Sequence, residues 1–180
     1  MNLPNKLTVF RMFLIPFFVV FMLVDIAPWQ KWVALAIFVV ASLTDLFDGK
    51  IARKYNLVTN FGKFMDPMAD KLLVCSALIC FVEMTYIPAW IVIVIISREL
   101  IISGFRLIAS DQGIVLAAGI WGKCKTATQM VMTIVLIAHI DHPVFVIIEQ
   151  VLIYASLALT IISMVDYLWN NRKVLTNGGM

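Results

Sequence analysis

The amino-acid sequence predicts an all-α, polytopic membrane protein with six transmembrane helices, and three observations predict it. Hydrophobic residues make up 62% of the chain and charged ones 14%, against roughly half and about a quarter in a soluble domain. A chain of 180 residues cannot hide that much apolar surface in one core. The apolar residues fall into six runs, each close to the ~20 residues that a helix needs to cross hydrocarbon roughly 30 Å thick. Lys and Arg then gather on one side of the resulting topology.

The six predicted spans are Leu7–Val24, Trp32–Arg53, Phe64–Glu83, Pro88–Ala109, Lys123–Ile140 and Pro143–Trp169. Short connectors separate them, and each carries turn formers: Pro28; Asn56, Asn60 and Gly62; Pro88; Gly113, Gly119 and Gly122; Pro143. Residues 1–170 read as one membrane domain and 171–180 as a polar tail. Lys6 and Arg11 before the first run resemble the start of a signal peptide. No small-residue cleavage site follows near Asp25–Trp29, so the first helix is expected to be retained.

Six spans place the N-terminus, the second and fourth connectors and the C-terminus on one side. That side collects thirteen basic residues and the other only Lys31. By the positive-inside rule the basic side is cytoplasmic, in a cell membrane, with both termini there. The net charge of +3 is spread without a basic stripe, which argues against nucleic-acid binding. Cys75, Cys80 and Cys124 lack metal-ligand spacing and are expected to be packing residues. His139 and His142 are expected to form an interfacial turn.

The second run holds the informative irregularity. Trp32 to Thr44 is only 13 residues, about 20 Å of helix at 1.5 Å per residue. The helix must therefore continue through Asp45, Asp48 and Gly49 towards Arg53. The third span is likewise too short without Asp66, Asp70 and Lys71. Asp45 and Asp48 are three apart and Asp66 and Asp70 four apart, so each pair shares a helix face. The two pairs are expected at the cytoplasmic headgroup level, across a connector of about ten residues by the span bounds above.

Ionisable residues in membrane helices are costly and mark function. Four gathered carboxylates repel one another unless cations compensate them. Oxygen-only ligands select hard ions, Mg²⁺ or Mn²⁺, and four carboxylates suffice for a two-metal phosphoryl-transfer site. Gly49 and Ala52, each one turn after an acid, leave room for a ligand, and Arg53 suits a phosphate. Pro67 suggests a helix start with Asp66 near its cap, a terminus that would favour anions.

These residues carry a resemblance. Asp45-Leu46-Phe47-Asp48-Gly49-Lys50-Ile51-Ala52-Arg53, then Gly62-Lys63-Phe64-Met65-Asp66-Pro67-Met68-Ala69-Asp70, resembles the D-x-x-D-G-x-x-A-R and G-x-x-x-D-x-x-x-D signature of the CDP-alcohol phosphatidyltransferases, with every fixed position matched. The resemblance implies a six-span enzyme with two divalent cations. It implies that Asp45, Asp48 and Asp66 are metal ligands and that Asp70 is the general base, with a further metal contact open to it. It places Gly49 and Arg53 against the CDP group, and Thr59, Asn5, Thr8 and Arg11 as further contacts to the CDP-lipid. The implied donor is CDP-diacylglycerol, with CMP released, and a homodimer is expected.

The acceptor rests on other residues. Ser97-Arg98-Glu99-Leu100 and Gly122-Lys123-Cys124-Lys125-Thr126-Ala127-Thr128-Gln129 resemble the members of the family that use sn-glycerol 3-phosphate. Arg98, Arg106, Lys123 and Lys125 are then the expected ligands of the acceptor phosphate. Other acceptors within the family, of the cardiolipin, phosphatidylserine or inositol-phosphate type, remain alternatives; an intramembrane prenyltransferase usually has more spans, and the single compact pair of motifs and the G-x-x-A-R segment argue against it. A divalent-metal transporter would instead need acids near helix middles and a repeated arrangement, and neither is visible.

Overall fold

The computed structural model describes the backbone of residues 3–25, 27–54, 60–111 and 119–172, and the side chains of 5–25, 27–44, 65, 68–69, 71–107, 109 and 119–172. Among these residues the secondary structure is entirely helical. The helices are α1 (Leu3–Leu23), α2 (Gln30–Lys54), α3 (Asn60–Glu83), α4 (Ala89–Asp111), α5 (Ile120–Ala138) and α6 (Pro143–Asn170). Among the described residues, two segments are long and apolar enough by themselves to cross a membrane, Asn5–Leu23 and Pro143–Asn170.

The expected continuation of α2 holds. One helix of 25 residues runs from the apolar stretch through Asp45, Asp48 and Gly49 to Lys54. The expected start of α3 does not. The helix begins at Asn60, so Asp66 lies nearly two turns inside it and is no N-cap. Pro67 lacks the N–H that would bond one turn back, but a single missing bond is tolerated within a helix of the membrane type. As for the connector expected at about ten residues, α2 ends at Lys54 and α3 begins at Asn60, and what lies between is outside the described residues.

The chain forms two compact units. The first holds Met1–Tyr86 with Thr133–His139, and the second Ile87–Met132 with Ile140–Met180. In the first, α1 lies against α2 and α3, and α2 against α3. Small buried residues (Ala34, Ala41, Ala69 and Ala77) let these helices approach closely, and Phe18 and Phe38 fill the space between them at 5.9 Å between ring centroids. Lys31 donates a 3.2 Å hydrogen bond to the carbonyl of His139, just past the end of α5. A cation there complements the negative end of the helix dipole. The His139 ring stacks on Tyr86 at 4.3 Å. His142 caps α6 through Nδ1, which accepts from Val144 N–H. Both histidines therefore have turn-forming roles.

In the second unit α4 lies against α6. The buried positions of α4 include Ile91, Ile95, Arg98 and Ile102; those of α6 include Glu149, Ile153, Ser156, Thr160, Ser163 and Tyr167. Both series step by three and four, the signature of one inward stripe. The outward positions are apolar, with Ile93, Ile120, Val151 and Val165 all well exposed. Such a surface belongs in lipid, and the chain is a membrane protein. The cysteines divide: Cys80 is buried and Cys75 half-buried, but Cys124 is exposed and packs no core of this chain.

Candidate active site

The first unit holds the acid motif. Positions 45 and 48 are one turn apart on α2, and 66 and 70 one turn apart on α3, with the two helices packed against each other. The side chains of Asp45, Asp48, Asp66 and Asp70 lie outside the described residues, as do those of Gly49, Ala52 and Arg53; Thr59 lies outside them altogether.

α1 contributes three polar residues to the same unit. Asn5, Thr8 and Arg11 follow one another at helical spacing, and all are buried, Thr8 and Arg11 completely. Each makes polar interactions within the protein. A guanidinium with no solvent exposure needs acceptors or a counter-charge around it.

The second unit holds the basic residues expected to meet the acceptor, and it treats them unequally. Arg98 and Lys125 are buried, at 7% and 1% exposure, whereas Arg106 and Lys123 are exposed. Lys125 pairs with Glu99. The Nη1 atom of Arg98 lies 3.5 Å from the same carboxylate oxygen, and Nη2 donates a 2.9 Å hydrogen bond to the Ser163 hydroxyl. Gly122, in the first turn of α5, passes beside this guanidinium: a Cβ there would stand 3.8 Å from Nη2. The expected set of four thus resolves into a buried pair, Arg98 and Lys125, that α4 and α5 bring together. Arg106 instead sits over the ring of Tyr167, 5.5 Å from its centre, a cation–π contact. Lys123 is not drawn into the cluster.

Among the described residues Arg98 and Lys125 share the half-buried Glu99 carboxylate, and Lys125 makes a further interaction. A buried guanidinium is favoured where anionic oxygens surround it. The buried Nε of Arg98 has no partner among the described residues. It leaves a planar N–H donor of the kind that binds phosphate oxygens. Two contributors are not singled out by the sequence, Ser163 and Tyr167 on α6. The available signal is a run of hydroxyl-bearing residues, Ser156, Thr160 and Ser163, at one-turn spacing in a largely apolar helix.

Residues 1–162 match the family model described as CDP-alcohol phosphatidyltransferase. The chain is 47% identical over 149 residues to a CDP-diacylglycerol–glycerol-3-phosphate 3-phosphatidyltransferase of Bacillus subtilis, covering 77% of each chain. It is 40% identical over 172 residues to the enzyme of that name from Haemophilus influenzae, covering 93% of this chain and 91% of the relative. A third relative of the same name, from Yersinia pestis, is 40% identical over 173 residues, covering 93% of each. With the D-x-x-D-G-x-x-A-R segment on α2 and its partner acids on α3, the chain belongs to the CDP-alcohol phosphatidyltransferase family.

Proposed function

We propose that this protein is a phosphatidylglycerophosphate synthase. It transfers the phosphatidyl group of CDP-diacylglycerol to sn-glycerol 3-phosphate, releasing CMP and forming phosphatidylglycerophosphate for phospholipid synthesis. Family membership and the names of the relatives support the donor and the reaction type. The observation that carries the acceptor is the buried Arg98 beside Glu99 and Lys125, whose Nε has no partner among the described residues. A serine acceptor offers this guanidinium a carboxylate beside its own ammonium, whereas glycerol 3-phosphate offers a phosphate that suits a planar fork of N–H donors.

In this reading Asp45, Asp48 and Asp66 hold two divalent cations, with Asp70 beside them. The donor set fits: carboxylate oxygens only, at one-turn spacing on two helices in contact, suit Mg²⁺ or Mn²⁺. When bound, such cations neutralise charge on the diphosphate and on the leaving CMP. The acceptor hydroxyl attacks the phosphorus that carries diacylglycerol, its proton passes to Asp70, and the bond from that phosphorus to CMP breaks. Gly49, Arg53, Thr59, Asn5, Thr8 and Arg11 hold the CDP-lipid.

The same proposal includes the topology. Six spans, both termini and the active site on the cytoplasmic side, are supported by thirteen basic residues against Lys31. A homodimer is supported by the family resemblance. Purified protein given CDP-diacylglycerol and a panel of acceptors, with divalent cations titrated in, tests the reaction. CMP release with glycerol 3-phosphate alone is expected; release with serine and not with glycerol 3-phosphate would overturn the assignment.

A further inference from the structure

Ser163 does something to Arg98 that the apolar setting of α6 does not require. Its Oγ accepts the 2.9 Å bond from Arg98 Nη2 and donates its own proton to the carbonyl of Thr160 at 3.2 Å. Thr160 in turn donates to the carbonyl of Ser156 at 2.7 Å. All three residues are buried, at 0–2% exposure. The serine proton is committed along the helix, so its lone pairs are turned towards the guanidinium. One hydroxyl therefore fixes the rotation of the Arg98 fork.

The other contacts on the fork are looser. Glu99 Oε1 lies 3.5 Å from Nη1 and also serves Lys125. Gly122 offers no side chain, and the Nε is buried with no partner among the described residues. Without Ser163 the guanidinium could swing to meet Glu99 more closely. Nε would then no longer keep its present direction. Arg98 and Lys125 also differ in kind. The Lys125 ammonium is held by Glu99 and makes a further interaction, whereas the Arg98 Nε has no partner among the described residues.

We infer that Ser163 is a positioning residue for acceptor binding, holding Arg98 so that its Nε edge meets the phosphate of a phosphorylated acceptor. This rests on the proposed use of a phosphorylated acceptor by the Arg98 cluster. It adds a residue on α6, outside the acid motif and outside the basic segments of α4 and α5. Ser163 touches neither the acceptor nor the reacting atoms; it acts only through Arg98.

Steady-state kinetics of the purified full chain test it, with CDP-diacylglycerol and sn-glycerol 3-phosphate varied separately. Ser163→Ala is expected to raise KM for glycerol 3-phosphate about tenfold, the order of one hydrogen bond to a charged group. Its kcat and its KM for CDP-diacylglycerol should stay within about twofold, because neither depends on the Arg98 fork. Ser163→Thr, which keeps the hydroxyl, should restore most of the acceptor affinity. An unchanged acceptor KM in Ser163→Ala overturns the inference. So does a proportionate loss in kcat and in both KM values, or failure of this variant to fold, because a positioning hydroxyl is not needed to build the helix. If the wild-type chain itself does not use glycerol 3-phosphate, it is the proposed function that fails.

Discussion

Arg98 on α4 and Ser163 on α6 are joined by a 2.9 Å hydrogen bond across 65 residues of sequence, between side chains that are both almost fully buried. This bond gives the basic segment of α4 a defined orientation. A guanidinium in an apolar surrounding is tolerated when its donors are used. Here one nitrogen is used by Ser163, another is near a shared carboxylate, and the third has no partner among the described residues. Its burial sets Arg98 apart from a positive-inside collar, whose members reach water.

Arg98→Lys is the sharpest test of the fork. Lysine keeps the charge but presents a point donor in place of a plane of N–H groups. We expect KM for glycerol 3-phosphate to rise by about ten- to a hundredfold, the range of hydrogen bonds to charged groups, with KM for CDP-diacylglycerol little changed. Arg106→Lys, at an exposed arginine already stacked on Tyr167, should shift the acceptor KM by much less. Acceptor titrations of the two variants side by side check the ranking.

Glu99→Gln should act on stability. It leaves Lys125, 1% exposed, without its Glu99 counter-charge. Breaking one side of a buried pair costs about 3 kcal/mol, whereas replacing both partners with neutral groups is often nearly neutral. Glu99→Gln should therefore lower the thermal midpoint in detergent clearly, and the double variant Glu99→Gln with Lys125→Met should recover most of it. Equal midpoints for the single variant and wild type would show that Lys125 is compensated by something else.

The sequence was legible where length or motif constrained it. A run of 13 residues, Trp32 to Thr44, cannot span a bilayer, so α2 had to run on through its acids, and it does. The start of α3 was not legible, because Pro67 after an aspartate has the same local appearance as a helix cap. Lys123 and Lys125 look equivalent in a sequence. Two residues apart on a helix they point to nearly opposite sides, and of the two Lys125 turns inward. Ser163 carried only the signal of its hydroxyl run: a hydroxyl in a largely apolar helix can bond its own backbone, so that run does not reveal that Ser163 also reaches Arg98.

Asp70→Asn keeps the shape of the side chain and removes the base. General-base catalysis contributes about 10²- to 10⁴-fold, so turnover should fall by that order while CDP-diacylglycerol still binds. Asp45→Ala or Asp66→Ala should instead weaken substrate binding and shift the divalent-cation requirement together. Chelation with EDTA should abolish turnover in the wild type, and Mg²⁺ or Mn²⁺ should restore it. Parallel CMP-release and lipid-binding measurements separate the two kinds of variant. Normal turnover in Asp70→Asn would remove Asp70 from its role as base.

A size series at Gly122 probes how closely α5 approaches the acceptor group. A Cβ at this position would lie 3.8 Å from Arg98 Nη2, ordinary van der Waals separation, so Gly122→Ala has room. Helix propensity favours alanine by up to about 1 kcal/mol, and the variant should fold at least as well as wild type. A leucine extends two bonds further and has to enter the space of the guanidinium, whose Nη2 is fixed from the other side by Ser163. Gly122→Leu should therefore displace the Arg98 fork and raise KM for glycerol 3-phosphate by about tenfold or more, the order of one hydrogen bond to a charged group. Its KM for CDP-diacylglycerol should change little. The contrast between alanine and leucine is the informative result, because a general requirement for glycine in the helix would penalise both. If alanine were as damaging as leucine in acceptor KM, the proximity of Gly122 to Arg98 would not be what limits the site.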